Sequence, residues 1–148
     1  MSDAFSGHLV DGGHVFPVRV YFEDTDLSGI VYYARYLHFL ERGRTEMLRL
    51  KGITSSRMGE GGYGEPMAFA VRRLEIDYLR SARIDDVLTV TTRVEHVSGA
   101  RVVLDQRIFR QEKPLLAATV TVVVVTSDGR ARRLPAAVAA ALTAVEPE

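Results

Sequence analysis

Between Val20 and Tyr36 the chain gathers Glu23, Asp24 and Asp26 just ahead of a Ser28-Gly29 break and an amphipathic segment. Carboxylates in front of a helix start suit acyl transfer. The free N–H groups of a first helical turn carry partial positive charge and can hold a developing oxyanion, while a neighbouring carboxylate attacks a carbonyl or deprotonates water. The same residue types also cap helices by accepting those N–H groups. Spacing alone leaves both roles open for each acid.

Other chemistries find less support. A nucleophilic serine on a strained elbow needs Gly-x-Ser-x-Gly, and no serine here has glycines at both flanking positions. The histidines His8, His14, His38 and His96 are scattered, and only His38 shares a helical face with an acid, Glu41, which reads as a partly buried histidine beside a carboxylate rather than a metal site. Gly59, Gly61, Gly62 and Gly64 lack the Lys-Ser/Thr that completes a Walker phosphate loop, so they read as a mobile loop able to line a pocket. With 0 cysteines, disulfides, thiolate metal sites and cysteine nucleophiles are all excluded, and a reducing compartment is compatible.

At 148 residues and 47% hydrophobic, the chain has the size of one domain and can bury roughly 70% of its unfolded surface. Lys plus Arg and Asp plus Glu each number 19, so the net charge is zero and no nucleic-acid or anionic-membrane partner is indicated. Residues 1–13 are polar and Gly-rich, without a basic region followed by an apolar core, so no secretory signal is read and a cytoplasmic location is expected. The most apolar run, Leu115–Val125, is far shorter than the ~20 residues of a membrane span and reads as a buried strand.

The elements that must position the acids follow from periodicity. After an expected flexible tail over 1–14, Val15–Phe22 alternates as a first strand. From about Tyr36 to Leu50, Tyr36, Leu40, Gly43, Met47 and Leu50 recur at helical spacing, and Lys51-Gly52 supplies a stop. Ser55–Glu65 reads as a loop or short irregular helix. Met67–Leu79, Val87–Val97, Arg101–Gln111 and Leu115–Thr126 read as further strands in an antiparallel meander, separated by turn signals. Pro135 precedes an Ala-rich segment expected as a short helix or tail over 134–148. One helix and five strands bury their faces most economically as an α+β domain, an antiparallel sheet curled around the helix, over 15–133. The bare edge of such a sheet favours a second copy.

The run Tyr21–Tyr36, continued through His38-Phe39-Leu40-Glu41-Arg42-Gly43-Arg44-Thr45-Glu46, resembles the hotdog-fold acyl-CoA thioesterases of the 4-hydroxybenzoyl-CoA thioesterase family, within it the Tol-Pal-associated bacterial branch. The similarity continues through Val71–Tyr78 and Ala82–Asp86 and covers roughly 15–133. It implies a five-stranded hotdog sheet wrapped around the long helix, in dimers often joined into tetramers. It further implies that Asp26 is the catalytic carboxylate, nucleophile or general base, and that the backbone N–H of Tyr33 polarises the thioester carbonyl. Acyl-CoA is then the substrate, with an acyl-carrier protein as an alternative donor, and no metal or other cofactor is called for. Arg73, Arg83 and Arg101 are candidate contacts for CoA phosphates. Many bacterial relatives carry His where this chain has Tyr33, and Pro where it has Ser81; a backbone N–H contact survives the first change.

Two other readings compete. A hotdog hydratase or dehydratase would pair the aspartate with a histidine five residues later, but that position is Val31. A non-catalytic module would keep the fold and use its groove to bind an acyl carrier. The acyl group preferred is not set by the sequence.

Overall fold

Residues Arg35–Leu50 form the long helix α1, one residue longer than its periodicity predicts, and its buried stripe is Tyr36, Phe39, Leu40, Gly43 and Met47. The computed structural model describes residues 2–144. Around α1 curls a sheet of strands β1 (Ser2–Asp3), β2 (Gly7–Val10), β3 (Gly13–Arg19), β4 (Met67–Tyr78), β5 (Val87–Val97), β6 (Arg101–Arg110), β7 (Lys113–Thr126) and β8 (Ala131–Arg132). Two shorter helices, α2 (Ser55–Gly59) and α3 (Ala136–Thr143), and a 3-10 segment, Phe22–Asp24, complete the described elements. Met1 and residues 145–148, the end of the expected C-terminal segment, lie outside the described residues.

The sheet order is β1-β2-β3-β5-β6-β7-β4, with β8 pairing the end of β7. The five expected strands are its contiguous run β3-β5-β6-β7-β4, every neighbouring pair antiparallel. This is the hotdog arrangement, but the sheet has eight strands rather than five. A simple meander is also corrected: β4 does not neighbour β5. The edge of β5 that it would occupy is taken by β3, with Val18 opposite Leu88, so β4 crosses to the free side of β7, with Ile76 opposite Ala118. Register shifts between Val71 and Arg73, Val94 and His96, and Ile108 and Phe109 bend the strands, which lets the sheet curl round α1.

The segment expected as a flexible tail is a hairpin at the β3 edge. Val10 pairs with Gly13 across an Asp11-Gly12 turn, and Gly12 supplies the positive φ of +76° that such a turn demands. The hairpin is tied inward: the buried Ser6 hydroxyl donates to Glu46 Oε1 at 2.7 Å, and its carbonyl meets His14 Nε2 at 2.6 Å. Burial holds the pKa of His14 below the ordinary imidazole value, so the ring is neutral and donates from Nε2 to that carbonyl. No helix among the described residues is long and apolar enough to cross a membrane.

The core lies between α1 and the concave sheet face, where Phe39, Leu40 and Met47 meet Leu88, Val90, Ile108, Leu116 and Val120. Gly43 sets how closely they meet. A Cβ there would stand 2.8 Å from Val90 Cγ1 and 3.4 Å from both Gln106 Nε2 and Thr92 Oγ1. Gly inside a helix costs about 1 kcal/mol relative to Ala, and here that cost is offset by close helix–sheet contact. Gly43→Ala therefore should lower stability by about 1–2 kcal/mol net, overpacking outweighing the propensity gain. Denaturant unfolding checks this; a Gly43→Ala protein more stable than the native chain would mean that the sheet yields freely.

Candidate active site

The three acids, adjacent in sequence, have separate fates. Asp24 is buried: its Oδ2 accepts the Tyr21 N–H at 2.8 Å and its Oδ1 the Arg35 Nε–H at 2.6 Å. The Asp24 N–H in turn donates to the Tyr21 carbonyl at 3.0 Å, so the chain turns through a 3-10 segment, Phe22–Asp24, and β3 ends at Arg19 rather than at the Phe22 that alternation predicted. Arg35 also reaches Glu23 at 3.5 Å, and hydrogen bonding to Asp24 raises the guanidinium pKa further. Asp24 is thus a structural clamp. Glu23 is exposed beside it, and Asp26 stands apart, exposed in the next turn.

That turn is closed from both ends. The Gly29 N–H donates to the Asp26 carbonyl at 3.1 Å, and the Asp26 N–H to the Ile30 carbonyl at 2.9 Å, with Gly29 at φ +83°. The Ser28 N–H donates to Asp26 Oδ1 at 2.8 Å and the Ser28 hydroxyl donates to the same oxygen, forming an Asx turn. These two Ser28 bonds, the hydroxyl foremost, hold the Asp26 pKa below the usual carboxylate value. Asp26 is therefore ionised at neutral pH. A bridge between Thr25 and Val31 closes the base of the loop, and a bridge joining Ile30 with Arg83, with the Val31 N–H on the Ala82 carbonyl at 2.9 Å, docks it onto the connection between β4 and β5.

Beside the turn lies a cleft of about 320 Å³ lined by Asp26, Ile30, Val31, Tyr33, Tyr36, Tyr78, Leu79, Arg80 and Ser81. Its aromatic wall is interlocked. The Tyr78 hydroxyl donates to the Tyr33 carbonyl at 3.0 Å, the Ala82 N–H donates to the Tyr36 hydroxyl at 2.9 Å, and the Tyr78 ring lies 6.3 Å from that of Tyr33 and 5.8 Å from that of Tyr36. Burial raises the pKa of both Tyr36 and Tyr78, so both phenols remain neutral. Asp26 is the sole carboxylate among the described residues lining the cleft, and no histidine lines it. Tyr33 sits in the turn that precedes α1, closed by the Arg35 N–H on the Tyr32 carbonyl at 2.8 Å. Its own N–H finds no acceptor among the described residues, so a residue lining the same cleft as the carboxylate carries a free donor.

The arginines separate. Arg83 adjoins the Asp26 turn, bridging Ile30, with its N–H on Asp86 Oδ2 at 2.9 Å. Arg73 lies exposed in the middle of β4, paired with Glu75. Arg101 begins β6 opposite Val123, whereas the cleft residue Tyr78 lies opposite Leu116, so Arg101 stands roughly 23 Å away along the sheet at 3.3 Å per residue. Sequence reasoning missed Ser28, Tyr36, Tyr78 and Arg80. Ser28 had a readable signal, since Asp-x-Ser followed by Gly favours an Asx turn; Tyr78 and Arg80 reach the cleft only because β4 ends there. Ser55 and Met58 of α2 line a different cavity, which the glycine cluster after them does not. Among the described residues no group of three or more His, Asp or Glu could hold a metal ion.

Residues 28–117 match the family model of the thioesterase superfamily, a span that contains Tyr33 and begins just after Asp26. Acyl-CoA thioesterase YbgC of Haemophilus influenzae is 48% identical over 117 residues, 79% of this chain and 84% of that protein. Acyl-CoA thioester hydrolase YbgC of Escherichia coli is 39% identical over 127 residues, 84% of this chain and 92% of that protein. A solved structure described as a probable thioesterase from Bartonella henselae superposes with a TM-score of 0.82 at 45% identity, covering 83% of this chain and 99% of that one.

The Asx turn makes its own test. Followed by carbon-detected NMR, the Asp26 carboxyl should titrate below the ordinary aspartate range, and Ser28→Ala should move its midpoint upward by removing the strongest donor. An unmoved midpoint would mean that the Ser28 hydroxyl does not tune this carboxylate.

Proposed function

The chain belongs to the thioesterase superfamily and is an acyl-CoA thioester hydrolase, and we propose that Asp26 is its catalytic carboxylate and the Tyr33 N–H its carbonyl-polarising donor. The observation that carries the assignment is the sorting of the acids: Asp24 is sealed against Arg35, while Asp26 is, among the described residues, the sole carboxylate lining the cleft that also holds Tyr33. As nucleophile, an Asp26 oxygen adds to the thioester carbonyl, and collapse expels the CoA thiolate to leave a mixed anhydride that water opens. As general base, Asp26 takes a proton from water, which adds to the same carbon. Both routes place negative charge on the carbonyl oxygen, where a preorganised N–H stabilises it. A thiolate, with a thiol pKa of about 8.5, leaves with little acid assistance, so neutral tyrosines suffice as the remaining wall.

A hydratase or dehydratase would need a histidine beside Asp26, and Val31 fills the place where one would stand, buried. Phosphate recognition falls to Arg83 next to the Asp26 turn, with Arg80 in the cleft wall; the same contacts would receive the phosphopantetheine arm of an acyl-carrier protein. We place the reaction in the cytoplasm, in keeping with a composition of 0 cysteines.

The fold also leaves one long sheet edge bare. The sheet path ends in the short β1 on one side and in β4, Met67–Tyr78, on the other, where Val71, Tyr78 and Leu79 are exposed. Unpaired edges of that length template pairing with another strand. A homodimer joined β4 to β4 satisfies both edges at once, and dimers can pair further into a tetramer.

Asp26→Asn should lower thioesterase turnover at least about a hundredfold with unchanged melting, the usual scale for losing a central catalytic group. Free-thiol release from acyl-CoA measures it; activity within threefold of the native chain would exclude Asp26 from the chemistry. Light scattering at micromolar concentration should give two or four times the 16.4 kDa of one chain. A single-chain mass with full activity would show that the cleft needs no second subunit.

A further inference from the structure

Tyr78 ends β4 in the wall of the Asp26 cleft, and its hydroxyl donates to the Tyr33 carbonyl at 3.0 Å. That carbonyl has no other donor among the described residues. The backbone of α1 leaves it unclaimed, because the Leu37 N–H goes to the Ala34 carbonyl at 3.2 Å. The peptide on the other side of Tyr33 is held separately. The Tyr32 carbonyl accepts the Arg35 N–H at 2.8 Å, and a trans peptide sets its C=O and N–H in opposite directions, so that bond also aims the Tyr33 N–H. Two rigid peptides thus meet at the Tyr33 Cα, one fixed by Arg35 and one by Tyr78, and both soft dihedrals between them are set from outside.

The same phenol ties the two sides of the cleft together. Its ring lies 5.8 Å from that of Tyr36, the Tyr36 hydroxyl accepts the Ala82 N–H at 2.9 Å, and the Ala82 carbonyl accepts the Val31 N–H at 2.9 Å. Val31 follows Ile30, whose carbonyl accepts the Asp26 N–H at 2.9 Å. Contacts therefore run from the Asp26 turn to the Tyr33 peptide across the cleft wall, without following the intervening chain. Of these links, the Tyr78 hydroxyl is the one whose removal frees the Tyr33 carbonyl while every backbone group stays as it is. The bond lies within one chain, so it does not depend on a second copy along β4.

We propose that Tyr78 is a positioning residue for thioester hydrolysis, its hydroxyl holding the Tyr33 peptide so that the Tyr33 N–H is aimed where negative charge develops; this rests on the roles proposed for Asp26 and Tyr33. A donor oriented before the reaction gives up no freedom as the carbonyl oxygen becomes an oxyanion. A donor that rocks about its peptide still meets a neutral carbonyl, but it is least adequate at the moment charge is greatest. The loss therefore falls on turnover rather than on substrate binding. Tyr78 acts through Tyr33 and exchanges no proton with the substrate.

Tyr78→Phe keeps the ring and deletes the hydroxyl. For acyl-CoA hydrolysis by the full chain, kcat should fall at least about fivefold, the scale of one neutral hydrogen bond, while KM changes less than about twofold and melting by no more than about 4 °C. With the 6 tyrosines labelled at nitrogen, the heteronuclear NOE of the Tyr33 amide should drop in Tyr78→Phe, while that of Tyr36, inside α1, holds. An unchanged kcat, or a lowered kcat with the Tyr33 NOE unmoved, would overturn the positioning role. A raised KM at native kcat would make the phenol a binding contact and overturn it equally. Asp26→Asn measured alongside separates this role from the reading beneath it. A hundredfold loss there with Tyr78→Phe at native turnover removes Tyr78 alone, whereas near-native turnover in Asp26→Asn removes the site chemistry on which the role rests.

Discussion

The bond between Asp24 Oδ1 and Arg35 Nε joins the 3-10 segment that follows β3 to the first residue of the central helix. It closes the loop between them, within which the Asp26 turn and Tyr33 lie. A second strut, the Tyr32 N–H on the Asp24 carbonyl at 2.9 Å, ties the same corner to the approach of α1. Both ion pairs that span this loop among the described residues, to Asp24 at 2.6 Å and to Glu23 at 3.5 Å, meet at Arg35, so this corner sets the place of the Asp26 turn relative to Tyr33. Asp24 supplies the geometry, and Asp26, two positions on, is left exposed in the cleft.

Deeper in, the close approach that Gly43 permits brings α1 onto a polar patch of the sheet, where Thr92 and Gln106 are both fully buried. A buried amide is tolerable only when its donors and acceptors are used. Gln106 uses Leu40, Thr92 and Arg44, so a helix shifted along its axis would leave the amide unsatisfied. Hydrophobic contact holds α1 against the sheet, and this directional network fixes its register.

Much of this was legible in the chain. The α1 periodicity located the helix to within a residue, and the Val-rich alternation located β5, β6 and β7, because those segments bury one side against a single neighbour. Which edge β4 would take was not legible, since it depends on β3 having already occupied β5. The Asp11-Gly12 turn was readable as a hairpin, yet the short polar strand before it carries little apolar alternation. Among the acids, Asp24 and Asp26 have identical chemistry, and only Arg35, brought near by the fold, separates the buried clamp from the exposed cleft carboxylate. The distance of Arg101 from the cleft within one chain was hidden for a similar reason: being on a strand of the sheet says nothing about which end.

The double closure of the Asp26 turn has a thermodynamic consequence. An exposed aspartate ordinarily samples several rotamers and a mobile backbone, and a reaction that needs one orientation must absorb that loss of freedom in its activation entropy. Here the Ser28 and Ile30 bonds restrict the carboxylate during folding, before any ligand arrives. The carboxylate can thus remain open to solvent, and to a bulky thioester, without being conformationally loose. Accessibility and order, which usually oppose each other on a protein surface, are here supplied by the same four-residue turn.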